Sequence, residues 1–388
     1  MWIGPLVVAW AALAAPLDGS RSGREAADDL SLAATVGDLY LAQAAVDRGA
    51  DPAVAIDKVL RRCDGPMAEI LVDAGAEPVG TAARRPLQCP LEVAEGLARR
   101  SPGWQAALLG HAAGAESMEL LDVLLEGPDP SDETLSDALH EAVKGRHDEA
   151  AARLLRAGAR ARPETIGEAA RGVEAGEAGR RVRRLTAGWR RAELGEALIF
   201  VAHHDPAVVS ALLARGAPTD RTRGTRGPPL VEAAAAGRVD NVKRLIAAGA
   251  DPNGARSDGR TPLMVGARSP EVTDALLRAG ADPNQSMISG WTPLMSAARS
   301  SAQSVRRLLE AGAAVDAAMH SSREQAVHQA ARVGRADVLE VLIGAGAELG
   351  QRTESPTGAG ELPLTLALAA GHADAVEVLR AAGAPGVE

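Results

Sequence analysis

The chain has 388 residues, of which 46% are hydrophobic and 24% charged, enough apolar material for a large core. Aromatic residues make up only 2%, so such a core is built from Ala, Leu and Val, which suits closely stacked helices better than a large enzyme cavity. The formal net charge of −9 argues against a nucleic-acid partner, which needs clustered Lys and Arg, and the two cysteines exclude a zinc site with four thiolates.

Residues 2–15 carry no charged side chain and are too short to span a bilayer as a helix. Residues 1–14 read as an export signal: Ala12-Leu13-Ala14 offers small residues for cleavage before Ala15, although no Lys or Arg precedes the apolar run. The competing readings are an apolar cap on the first helices or a misassigned start codon. The mature chain is expected to hold no transmembrane span. Residues 15–29 are polar and read as a linker.

From Leu30 the chain turns into short apolar helices that end in glycine. One pair closes at Gly49-Ala50-Asp51-Pro52 and the next at Gly75-Ala76-Glu77-Pro78. Trp104–Gly127 makes another pair. Ala138-Leu139-His140-Glu141-Ala142 and Leu154-Leu155-Arg156-Ala157-Gly158 form a clearer one. Residues 161–191 fit worst, and Leu198–Gly216 resumes the pattern. Residues 220–227 read as a loop rich in Gly and Arg.

The strongest unit is Thr261-Pro262-Leu263-Met264 followed by Leu276-Leu277-Arg278-Ala279-Gly280 and Asp282-Pro283-Asn284. Thr261 is placed to N-cap a helix, and Pro262 fits its first position, where a missing N–H costs nothing. Gly280 ends the second helix because glycine turns left-handed without a steric penalty. Equivalent glycines stand at 216, 249, 280, 312, 346 and 383, separated by 33, 31, 32, 34 and 37 residues.

A period near 33 residues with a Thr-Pro-Leu-His-like helix start resembles the ankyrin repeat. Thr292-Pro293-Leu294 keeps the start, Cys89-Pro90-Leu91 and Pro228-Pro229-Leu230 depart from it, and the motif His survives at His140 and His328. The resemblance implies an all-α solenoid of stacked antiparallel helix pairs with short β-hairpin fingers. It implies about twelve pairs in one continuous array, divergent over residues 30–227 and regular over 228–388. Each pair is too small to bury its apolar face alone, so neighbours must stack. It also implies a monomeric, non-catalytic scaffold that binds another protein, with His140 and His328 structural. The alternatives are an enzyme with a divergent site in 161–227 and a structural component of a cell-surface assembly. No phosphate-loop, nucleophile-elbow or His-Glu-x-x-His motif occurs, so no catalytic residue, metal or cofactor is expected. The adjacent His203-His204-Asp205 is expected on a helix, where neighbours in sequence point to different faces.

Three groups are candidate sites. Arg256, Asp258, Arg260, Ile288 and Trp291 fall on two successive fingers, where the family leaves side chains free for partners, and aromatic and Arg residues are common interface anchors. The competing reading packs Trp291 on the next finger. Arg180, Arg181, Arg183, Arg184, Arg190 and Arg191 form a basic run suited to an acidic partner or anionic membrane surface, or simply a solvated helix face. Cys63 and Cys89 sit near equivalent places in adjacent short repeats. Stacked helix axes 8–10 Å apart are slightly too far for a bridge that needs Cα atoms within about 7 Å. Two reduced thiols are therefore expected, with a disulfide open to a local shift in these irregular repeats.

Overall fold

The computed structural model describes residues 23–78, 89–169, 171, 175–223, 226–354 and 360–385. The expected export signal at 1–14 lies outside the described residues. The chain divides into two compact units, Met1–Glu168 and Ala169–Glu388. The division falls inside residues 30–227, the stretch read as divergent repeats.

In the first unit, α1 (Gly23–Val36) packs on α2 (Leu39–Asp47), and α3 (Ala53–Leu60) packs on α4 (Gly65–Asp73). Residues 23–29, expected in a linker, form the start of α1. Ala26 and Leu30, one turn apart, are fully buried there, and Asp29 pairs with Arg48 at 2.8 Å. A single helix, α5 (Leu91–Arg100), follows and packs on α4. Then come the pairs α6 (Pro102–Gly114) with α7 (Met118–Glu126) and α8 (Asp132–Gly145) with α9 (Asp148–Arg156), and the short α10 (Pro163–Glu168). Trp104 on α6 is fully buried and donates its indole N–H to the carbonyl of Ala76 at 2.7 Å, which satisfies its one polar atom.

The structure corrects the reading of Cys63 and Cys89 as separate thiols. They form a disulfide, with Cα atoms 5.2 Å apart. The helix-spacing argument does not apply because neither cysteine lies on a stacked helix. Cys63 occupies the turn after α3 with a left-handed φ of 53°, and Cys89 lies just before α5.

The second unit opens with α11 (Ala175–Leu185) and continues with six pairs. These are α12 (Arg191–Val201) with α13 (Pro206–Ala214), α14 (Pro229–Ala235) with α15 (Val239–Ala247), α16 (Pro262–Gly266) with α17 (Pro270–Arg278), α18 (Pro293–Ala298) with α19 (Ala302–Glu310), α20 (Ala326–Val333) with α21 (Ala336–Gly344), and α22 (Pro363–Ala369) with α23 (Ala373–Ala381). Two rows result: α14, α16, α18, α20 and α22 stack on one another, as do α15, α17, α19, α21 and α23. Among the described residues the two units hold ten pairs and three further helices, against about twelve pairs expected.

Local chemistry sets these elements. Thr261 and Thr292 cap α16 and α18 by accepting the N–H groups of Met264 and Met295, each at 3.3 Å. Ser269 and Ser301 do the same for α17 and α19. Gly280 closes α17 at φ +89°, a conformation that strains any side chain. The Asp-Pro-Asn turns then fasten each repeat to the next. Asn253 accepts the N–H of Asp282 at 2.8 Å and donates to the carbonyl of Gly280 at 3.2 Å. Asn284 repeats this on Ala314 and Gly312 at 2.8 and 2.9 Å, and Asp316 accepts from Glu348 at 2.8 Å.

The fingers are short hairpin turns with no strand ladder among the described residues. Each is closed by a cross-turn hydrogen bond: Arg256 N–H to Arg260 carbonyl at 3.0 Å, Met287 to Trp291 at 3.0 Å and Met319 to Glu324 at 2.8 Å. Among the described residues the strand pairing is one isolated bridge, between Arg223 and Arg226.

The repeat pattern predicts Leu277 and Leu309 buried between stacked helix pairs, but both are only half-buried. Their neighbours Leu276 and Leu308 are fully buried with Val272 and Val305, because the outer row faces solvent along one side. Leu276→Ala should therefore cost about 2–5 kcal/mol and Leu277→Ala markedly less. Urea melts of the two variants check this; equal losses would contradict the assigned register.

Candidate functional site

The second unit carries a cavity of about 570 Å³, bounded by two fingers and the C-terminal ends of α14, α16, α18 and α20. Its walls combine apolar side chains (Met264, Val265, Met287, Trp291, Val333) with three arginines, Arg260, Arg268 and Arg299. Its size falls in the range of pockets that bury a small ligand or a few side chains of a partner.

The sequence-predicted finger residues divide here. Arg260 and Trp291 both line the cavity, although they come from separate repeats. The Trp291 ring is held in place by its own N–H, which donates to Ser296 Oγ at 2.7 Å; that tie runs to α18, not to the next finger. Ile288 stands at the finger tip and is 91% exposed, a large apolar side chain with almost no cover. Asp258 shapes its own turn: its carboxylate accepts the Arg260 N–H at 3.0 Å and lies 3.4 Å from Arg260 Nε. Arg256 does not join this face as a free group. It pairs with Glu232 at 2.9 Å, and both side chains are largely buried. The same Glu232 accepts the Gly227 N–H at 3.1 Å, so Arg256 anchors a finger to α14.

Arg268 and Arg299 went unread in the sequence. They stand seven residues after Thr261 and Thr292, and Arg332 stands seven after Gln325, the equivalent capping position. One arginine thus recurs at the same place in three consecutive repeats. Their environments differ. Arg332 pairs with Glu324, which also accepts from Gln329 Nε2 at 2.5 Å. Arg299 donates to the neutral amide oxygen of the buried Gln329 at 3.1 Å. Arg268 is exposed and makes no ion pair or side-chain hydrogen bond among the described residues.

The basic run lies elsewhere. Ala178, Val182 and Leu185 bury one side of α11, which leaves Arg180, Arg183 and Arg184 exposed; Arg190 and Arg191 are exposed at the start of α12. Arg181 is turned inward and pairs with Glu177 at 2.8 Å. His203 and His204 lie in the turn after α12 and not on a helix, with ring centroids 4.3 Å apart. The Asp205 carboxylate is used to cap α13, accepting from Ala207 at 2.7 Å.

The motif histidines tie neighbouring segments. His140 lies 3.2 Å from Thr165 Oγ1. His328 is fully buried, accepts the Gln325 N–H at Nδ1 (3.2 Å) and donates from Nε2 to the Gln351 carbonyl (2.9 Å). This fixes the neutral imidazole. Loss of hydration holds the His328 pKa below its ordinary value, partly opposed by the bond to Gln351 and by Glu324.

Stacked helix pairs that present a mixed apolar and cationic groove beside exposed fingers define a helical-repeat binding protein. A family model described as ankyrin repeats (3 copies) matches residues 197–287 and 267–353. Cyclin-dependent kinase inhibitor 2A of Homo sapiens is 36% identical over 153 residues, 39% of this chain and 76% of the relative. Cyclin-dependent kinase 4 inhibitor B of Mus musculus is 33% identical over 159 residues, 41% of this chain and 95% of the relative. The chain belongs to the ankyrin-repeat family.

The buried neutral His328 makes a pH prediction. Its folded pKa is depressed, so below the unfolded value of about 6.5 the unfolded chain binds the extra proton and stability falls. The loss begins as pH drops through that value and levels off below the folded pKa, at no more than about 1.4 kcal/mol per pH unit. Thermal melts between pH 7.5 and about 5 should show a falling Tm that His328→Gln flattens. An unchanged pH slope in the variant would remove His328 as the cause.

Proposed function

We propose that this ankyrin-repeat scaffold is a non-catalytic, exported binding protein that seats its partner in the groove between the fingers and the helix ends of the second unit. The observation that carries the reading is the cavity beside Trp291, where an anchored aromatic ring stands among arginines with an exposed Ile288 at the rim. Interfaces concentrate their energy in such aromatic and Arg anchors. The relatives are named as inhibitors of cyclin-dependent kinases; what is carried to this chain is the binding of a protein partner, with no kinase implied.

Export rests on two independent features. Residues 1–14 have the apolar run and small-residue site of a signal. The Cys63–Cys89 disulfide suits an oxidising compartment, where such bonds persist. Closing a loop of 26 residues contributes roughly 3 kcal/mol by the chain-entropy estimate. Among the described residues no helix is long and apolar enough to cross a membrane.

Two measurements test this reading. Trp291→Ala and Ile288→Ala should each weaken partner binding by about tenfold or more with an unchanged melting curve; unchanged affinity in both would move the interface off this face. N-terminal sequencing of the native protein should begin at Ala15, with no labelled thiols in the denatured chain until reductant is added. Recovery of intact Met1 together with two reactive thiols would contradict export.

A further inference from the structure

The groove carries a charge pattern that selects its occupant. The chain as a whole carries a net charge of −9, yet the cavity is lined by Arg260, Arg268 and Arg299 with no Asp or Glu among its lining residues. Among the described residues, Arg268 and Arg299 are the members of the arginine row whose charge no carboxylate offsets: the Arg268 side chain makes no polar contact and Arg299 meets only a neutral amide. Arg332, the third member, is neutralised by Glu324. Arg260 is partly offset by Asp258 at 3.4 Å. Two uncompensated cations therefore stand just past the C-terminal ends of the stacked helices α16 and α18 and line one cavity with Met264 and Trp291.

Spacing turns this into a recognition rule. Helices in contact lie about 8–10 Å apart. A polyproline-type extended chain rises about 3.1 Å per residue and returns a side chain to the same side every three residues, close to 9 Å. An α-helical ligand returns a side chain to the same face after about 5.4 Å or, two turns on, about 10.8 Å, so its steps fall short of or beyond one repeat spacing.

From this match we propose that the groove binds an extended acidic peptide, with carboxylates at positions i and i+3 on Arg268 and Arg299 and an intervening apolar side chain against Trp291. The proposal rests on the binding face described above and adds the chemistry of what occupies it. A bidentate Arg–carboxylate contact supplies both charge and geometry, which a lysine row would not.

A phage-displayed library of random peptides of about twelve residues, panned on the full-length chain, tests it. The expected result is enrichment of Asp or Glu at i and i+3 around an apolar residue. A synthetic peptide from that pool should lose about tenfold or more in affinity for the Arg268→Gln/Arg299→Gln double variant and should bind less tightly as salt rises. Arg278→Gln, on the exposed side of α17 where Arg278 pairs with Asp274, should leave it unchanged. Thermal melts confirm that each variant is folded. Recovery of no peptide, or of basic or uncharged sequences, would overturn the proposal. Peptides that need Trp291 but ignore Arg268 and Arg299 would also overturn it while leaving the binding face itself standing.

Discussion

The second unit depends on one constraint: none of its first-row helices is long enough to exist alone. They run from five to eight residues, below the length at which a helix in water is stable. Each therefore holds its shape only because the next one covers it. Leu230, Leu263, Leu294 and Val327 are all buried in that row. The small side chains Ala234, Ala267, Ala298 and Ala331 stand between them and let the helices approach closely. The near absence of aromatic residues follows from the same need for close approach.

Stacking alone leaves rotation between repeats unspecified. The polar ties fix it. Asn253 and Asn284 each bond both ways to the glycine turn of the following repeat, and His328 reaches the Gln351 carbonyl across the next connection. The finger tips join the same scheme, since His320 N–H meets the Ser289 carbonyl at 2.9 Å and Glu354 meets Ser322 at 2.7 Å. With register held in this way, side chains at the same motif position fall into rows. The arginine row of the groove is a product of that register, and so is the meeting of Arg260 with Trp291 across two repeats.

Much of this was legible in the sequence, because the signals were local. Thr-Pro at a helix start and Gly at a helix end act within a few residues, and so the regular repeats, their caps and their turns were readable. What was missed depends on tertiary placement. Leu277 and Leu309 cannot be ranked against the adjacent Leu276 and Leu308 from sequence, because the ranking depends on which side of the row α15, α17, α19, α21 and α23 meets solvent. Nothing in the sequence signals that Arg256 pairs with Glu232, which lies 24 residues away in the chain. Helix spacing does not apply to Cys63 and Cys89, because both stand at helix ends and not on stacked helices. Arg268 and Arg299 carried a usable signal, a fixed offset from Thr261 and Thr292, but it becomes a row only when the helices are stacked.

The central claim is that partners meet the groove face and not the outer helices. Site-specific photo-cross-linking in the native cell addresses it directly, with the photoreactive residue placed at Ile288 on the finger tip or, as a second site, at Arg278 on α17. The account predicts a discrete cross-linked partner from position 288, identifiable by mass spectrometry, and none from position 278. Equal adducts from both positions, or adducts from 278 alone, would contradict it.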